Sequence, residues 1–277
     1  MGLVAMAEVL HDAATCGTGL GAFNVIQIEH AEAIVAGAEI ARRPVVLQVS
    51  ENTAAYHAGL APIVLACLAI ARESSASVVV HLDHATRREL VEAAVELGVG
   101  SVMFDASALD YADNVIATAE VGAWCRARSV SVEAELGEIG GKDGVHSPGA
   151  RTDPVEAREY VEATGVGALA VAVGTSHAMV ARDAELDYDL IRRLRSTVPV
   201  PLVLHGSSGV SDTGLAAAVE AGITKVNIAT QLNKVMTAAV RGTLAADEAL
   251  IDPRKYLGPA RDAVAAEVAR LLGLLSG

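Results

Sequence analysis

Aromatic residues are scarce in this chain, at 3% of its 277 residues, with a single tryptophan. Its core must therefore be filled by Ala, Val, Leu and Ile, and a hydrophobic content of 52% supplies them. Basic residues are also in deficit, 21 against 34 acids, for a formal net charge of −13. That balance argues against nucleic acid as a partner, because phosphate backbones need clustered Lys and Arg. It leaves room for a phosphorylated small molecule, which needs only a few backbone N–H donors and one or two cations. Cys16, Cys67 and Cys125 are odd in number and form no CxxC or CxxH unit. A disulfide framework is thereby excluded, and three reduced, buried thiols in a cytoplasmic protein are expected. Long apolar runs are missing too. The most apolar stretch, 61–71, is too short to span a bilayer, so no membrane partner is expected. The opening MGLVAMAEVLHDAATCG carries acids and no basic n-region, and reads as a first helix instead of a signal peptide.

What is present is an alternation. Runs rich in branched apolar residues lie near 20–24, 45–50, 77–83, 100–105, 129–135, 168–174, 200–205 and 223–228. Helical patterns follow near 29–42, 54–73, 87–98, 109–127, 153–164, 187–197, 212–221 and 230–245. Near-continuous apolar strands are buried on both faces, as in a parallel sheet. Eight βα units predict closure into a (β/α)8 TIM barrel, and the length suits one such domain over residues 1–277. No low-complexity linker divides the chain. One long loop, 137–151 (GEIGGKDGVHSPGAR), is expected to be a lid over the active site.

Polar residues collect at the C-terminal ends of these strands, the active-site face of such a barrel. They are Asn24, Ser50, the pair Asp83-His84, Asp105, Glu133 and Glu135, His205 and Asn227, with His177 just after its strand. Three imidazoles from three strands, His84, His177 and His205, can converge on one ion, and three neutral His with an open position is a common catalytic zinc arrangement. His81, inside its strand, is expected to orient its neighbours. The other histidines lie on helices or loops. Period-two alternation puts Ser131, Glu133 and Glu135 on one strand face. Acids facing a barrel interior are costly unless compensated. Glu135 is read as close to a metal, and Asp105 can join it. For Glu133 a metal role and an ion pair with Lys225 both remain open. The loops GTS (174–176), GSSG (206–209) and NIAT (227–230) follow the last three strands, where such barrels recurrently bind phosphate.

The set AFN (22–24), HLDH (81–84), VEAELG (132–137), GTSH (174–177), LHGSSG (204–209) and KVNIAT (225–230) resembles the class II fructose- and tagatose-bisphosphate aldolases. The similarity runs along essentially the whole chain, with TDP at 152–154 and DPRKYL at 252–257. The resemblance implies reversible aldol cleavage of a phosphorylated ketose to dihydroxyacetone phosphate and an aldehyde. It implies a Zn2+ ion on His84, His177 and His205, and Asp83 moving the proton of the C4 hydroxyl. It places Asn24 on the enediolate, Gly206, Ser208, Asn227 and Thr230 on the C1 phosphate, and Ser50 near the other phosphate. Asp105 and Glu135 would match a secondary metal site. A monovalent cation, Na+ or K+, would sit on carbonyls near His177 and Gly206. A homodimer or homotetramer is implied, with Arg254, Lys255 and Arg261 able to reach a neighbour's substrate.

The chain departs from the family pattern at several positions. Ile26-Gln27 replaces the usual His-Asn pair, and Ala178 the Gly after the second metal His. The lysine common after that His is absent, leaving Arg182 as the phosphate cation. Asp143 stands where the lid usually carries a catalytic Glu. Ala229, where fructose-specific members carry Asp, leans toward the tagatose-type subgroup. Three alternatives have distinct signatures. One is the same mechanism on another ketose phosphate, such as 5-dehydro-2-deoxy-phosphogluconate. Another is a Schiff-base aldolase using Lys225. The third is a non-catalytic accessory barrel, which should have lost ligands or Asp83.

Overall fold

A computed structural model describes residues 2–136, 151–175 and 184–277. Its strands are β1 (Gly2–Leu3), β2 (Leu20–Asn24), β3 (Val45–Ser50), β4 (Ser77–Ala85), β5 (Ser101–Phe104), β6 (Ser131–Glu135), β7 (Ala168–Ala170), β8 (Leu202–Leu204) and β9 (Ile223–Ile228). The helices are α1 (Met6–Cys16), α2 (Ile28–Ala41), α3 (Glu51–Tyr56), α4 (Ala61–Glu73), α5 (Arg88–Glu96), α6 (Tyr111–Arg126), α7 (Pro154–Thr164), α8 (Tyr188–Thr197), α9 (Asp212–Ala221), α10 (Thr230–Ala246) and α11 (Pro253–Leu274). Strands β2 to β9 pair in parallel with their sequence neighbours, and β9 returns to β2. This is the closed (β/α)8 barrel that the alternation predicts. The short β1 adds to the start of β4.

Two apolar layers follow from the alternation along each strand. Outward-facing residues such as Leu47, Val80 and Leu169 pack under the helices. Inward-facing Ala22, Val46, Val79, Met103, Ala170 and Val203 fill the lower barrel. There α1 closes the bottom with Met6, Val9, Leu10 and Ala13. Small side chains suffice because the interior of an eight-stranded barrel is only wide enough to be filled by side chains.

Three expectations need correction. The helical pattern at 54–73 is two helices, α3 and α4, because Ala58 and Gly59 take positive φ and Pro62 starts a new helix. Helix α11 was not in the expected pattern, although Asp252 caps it and Pro253 begins it. Of the three thiols only Cys67 and Cys125 are buried, and burial pushes them up to about 12 and about 11; Cys16 is exposed. Among the described residues no helix is long and apolar enough to cross a membrane.

Candidate active site

The strand ends converge as expected. One cavity of ≈ 190 Å³ at the C-terminal face is lined by Asn24, Ser50, Asp83, His84 and, across from them, Gly206, Ser208, Asn227 and Thr230. His205, Glu135 and Asp105 adjoin it through His84. His177, Asp143, Arg182 and almost all of the expected lid at 137–151 lie outside the described residues.

Asp83 and His84 are adjacent in a strand and should therefore point to opposite faces. A one-residue bulge in β4 solves this, since Leu82 pairs with Val102 while Ala85 pairs with Phe104. His84 absorbs the extra residue at φ 50, in the left-handed region that non-glycine residues rarely adopt. The bulge presents both side chains to the site. Such strain persists only where surrounding structure imposes it.

Of the three candidate ligand histidines, the two within the described residues, His84 and His205, are each held by a carboxylate. His84 Nδ1 lies 2.7 Å from Asp105 Oδ2, and Ser107 donates to the other Asp105 oxygen from its hydroxyl at 2.6 Å. His205 Nε2 lies 3.0 Å from Glu133 Oε1, and its Nδ1 lies 3.5 Å from Glu135 Oε2. A carboxylate beside one ring nitrogen favours one tautomer and leaves the other nitrogen able to take a metal ion. One such nitrogen or oxygen from each of His84, Glu135 and His205 lies within 4.8 Å of the others, a spacing that one metal ion can bridge. Two imidazoles and a carboxylate are a donor set suited to zinc. The grouping takes Glu135, whereas Asp105 is engaged in orienting His84.

Asp83 is buried, and its Oδ2 accepts from Asn24 Nδ2 at 3.0 Å. Its Oδ1 has no hydrogen-bond partner among the described residues. Burial alone would raise this carboxyl, but the charges of His84, His205, Lys225 and His81 outweigh it and hold it below the ordinary value. Asp83 is therefore favoured in its ionised form, with one oxygen that has no hydrogen-bond partner among the described residues. Asn24 is fixed from behind by Gln48 Nε2, 2.8 Å from Asn24 Oδ1. Sequence reasoning missed Gln48, although it shares the inward face of its strand with Val46 and Ser50.

Below the site, Lys225 Nζ donates to Glu133 Oε2 and Asn227 Oδ1, both at 2.8 Å. Glu133 therefore forms the ion pair and holds His205 as well. Burial would raise its carboxyl, yet Lys225 and His205 keep it far below the usual range. His81 is buried beside Ser101, 2.7 Å from the hydroxyl, and burial together with Lys225 lowers it to about 3, so it is neutral. It is a buried residue of the polar layer, with Ser101 on one side and Glu133 Oε2 4.0 Å from its Nε2 on the other.

Among the described residues, the cavity lining across from Asp83 holds no Lys or Arg, and the nearest cation there is Lys225, which donates to Asn227 Oδ1. Gly206 takes φ 66 and turns the chain into the short 3-10 turn Ser207–Gly209. The Ser207 hydroxyl donates to the Asn227 carbonyl and locks this loop to β9. The adjacent α10 starts at Thr230 with no side-chain cap, and the N–H groups of Leu232 and Asn233 donate to the Ala229 carbonyl at 3.1 and 3.3 Å. Gly174, at φ 119 above β7, is required because a Cβ would collide with the Glu185 carbonyl.

In metal-free protein His84 behaves distinctively. Burial would lower its imidazolium, but Asp83, the Asp105 hydrogen bond and Glu135 push it up to about 9. A folded value above the unfolded one, about 6.5, stabilises the fold fully below that pH. The contribution is lost as pH rises through about 9. Urea unfolding of chelator-treated protein should show stability falling across this interval, and metal-loaded protein should lack the trend.

The sequence and the fold have counterparts among known proteins. The family model of class-II fructose-bisphosphate aldolase matches residues 4–276. The chain belongs to that family. It is 38% identical over 272 residues to a fructose-bisphosphate aldolase of Geobacillus stearothermophilus, covering 97% of this chain and 95% of the relative. The crystal structure of the YdjI aldolase from Escherichia coli K12 matches with a TM-score of 0.86 and 29% identity, over 99% of this chain and 97% of that one. A fructose-bisphosphate aldolase structure from Campylobacter jejuni, with 21% identity and a TM-score of 0.84 over 99% of this chain and 95% of that one, shares the fold. As a class-II family member the protein is an aldolase, a lyase acting on carbon–carbon bonds.

Proposed function

We propose that this aldolase cleaves and forms the C3–C4 bond of a phosphorylated ketose of the tagatose- or fructose-1,6-bisphosphate type, yielding dihydroxyacetone phosphate and an aldehyde, with zinc as its metal. The observation that carries this reading is the buried Asp83 Oδ1, without a hydrogen-bond partner among the described residues, beside the His84, Glu135 and His205 donor set. In this reading His84 and His205 hold the ion together with His177, and Glu135 and Asp105 serve as the neighbouring carboxylates. Cleavage next to a ketone leaves an enediolate, and a bound zinc ion supplies the electrophile that stabilises its charge. Asp83 takes the proton from the C4 hydroxyl as the bond breaks and returns it in synthesis. Asn24 keeps that carboxylate in register and faces the enediolate.

The phosphate on the three-carbon fragment is assigned to Gly206, Ser208, Asn227 and the Thr230 end of α10. Ser50 and Arg182 are assigned to the second phosphate, although the Ser50 hydroxyl also caps α3 by accepting from the Thr53 N–H at 3.2 Å. The lid acid is Asp143. A sodium or potassium ion on carbonyls near His177 and Gly206 and a cytoplasmic homodimer or homotetramer complete the reading. Arg254 and Arg261 pair within their own chain, with Asp252 and Glu32.

A screen of phosphorylated ketoses coupled to dihydroxyacetone phosphate detection tests the substrate. Turnover of tagatose or fructose 1,6-bisphosphate is expected. Turnover confined to 5-dehydro-2-deoxy-phosphogluconate would move the assignment to that substrate, and no turnover of any ketose phosphate by metal-loaded protein would overturn the reading.

A further inference from the structure

A second cavity lies well away from the candidate active site. It measures ≈ 630 Å³ and opens at the opposite, N-terminal face of the barrel, between α1, the C-terminal end of α6 and the loop before β8. That volume falls within the range of about 300–1,000 Å³ typical of small-molecule sites. Its walls include Met6, Leu10, Val130, Val132 and Val200.

Two arginines stand at its mouth, Arg126 and Arg195. Arg126 is held by its Nη1, which donates to the carbonyls of Thr164 at 3.2 Å and Gly165 at 2.7 Å. The stem of Arg195 lies against Gly222, so closely that a Cβ there would come within 2.7 Å of it. Neither guanidinium pairs with a carboxylate among the described residues. The single acid in the lining is Glu133, whose oxygens are already taken by Lys225 and His205. A cationic mouth is thus maintained on a chain of net charge −13.

We propose that this cavity is a second ligand site, for an amphipathic organic anion whose head group pairs with Arg126 and Arg195 and whose apolar body lies against Leu10, Val132 and Val200. Ser101, Ser131 and Glu133 form its floor. Glu133 lines this cavity and also lies 3.0 Å from His205 Nε2 through its Oε1, which links the two sites through one residue.

The test uses the full chain and four probes: octanoate, octyl phosphate, octanol and inorganic phosphate. Trp124, the single tryptophan, sits two residues before Arg126 and reports binding by fluorescence, with Tm as a second readout. Saturable binding of octanoate, of octyl phosphate or of both is expected at millimolar Kd or below, with octanol and inorganic phosphate at least about tenfold weaker. Which of the two anions binds tighter identifies the head group as carboxylate or phosphate ester. The double variant R126Q/R195Q should weaken the anion about tenfold, and Ala14→Phe, which fills the cavity, should remove binding while the protein stays folded by circular dichroism. The proposal is overturned if neither anion binds at about 10 mM, if octanol binds as well as the anions, or if both variants titrate like the parent.

Discussion

Asp83→Asn should retain its metal and lose aldol cleavage by about 100- to 10,000-fold in kcat, the usual contribution of a positioned proton-transfer group. The amide has nearly the shape of the carboxylate, so the contact with Asn24 can reform, but it cannot accept the C4 hydroxyl proton. Asp83 is not in the donor group of His84, Glu135 and His205, so metal content should stay near that of the parent. The decisive readout is the split between kcat and metal content. An asparagine variant with near-parent kcat would remove Asp83 from the mechanism. Loss of metal in step with activity would mean that it acts on the site's assembly instead.

Lys225→Met should be the most destabilising single change in the polar interior. Lys225 is fully buried, and removing it strands Glu133, itself 3% exposed, without its cation. Breaking a buried pair from one side costs about 3–5 kcal/mol, because the remaining charge is neither solvated nor matched. Chemical denaturation should show that loss, and Lys225→Met combined with Glu133→Gln should recover much of it, since no charge is then left behind. The single variant should also weaken metal binding about 10- to 100-fold, the usual effect of disturbing a group that orients a ligand. Equal stability of single and double variants would show that the pair is not coupled. Borohydride trapping in the presence of substrate separates this structural role from a Schiff base on Lys225, for which no adduct is expected.

The barrel and the location of its site were legible because both follow from local rules. Alternation of apolar strands and Ala-rich helices specifies the architecture, and strand-end position specifies which polar residues meet. Asn24, Asp83, His84, His205 and Asn227 converge for that reason. Other features depend on three-dimensional packing. That Asp83 and His84 share a face requires the bulge in β4, which no spacing in HLDHA announces. Glu133 presented an ion pair and a metal role as alternatives, and its two oxygens serve Lys225 and His205 at once. Gln48 lies within an apolar run and became informative only once its amide met Asn24. The cavity beneath the barrel arises where α1 meets the ends of distant strands, so no single segment of sequence encodes it. Helix α11 follows the last barrel helix and has no strand partner, which is why an alternation of strands and helices passed over it.

The most direct test of the account is the retro-aldol activity of the protein measured before chelation, after chelation and after returning Zn2+, with metal content determined at each step. The account predicts an inactive metal-free protein that stays folded and regains activity in proportion to bound zinc. Full activity in the metal-free protein would contradict it.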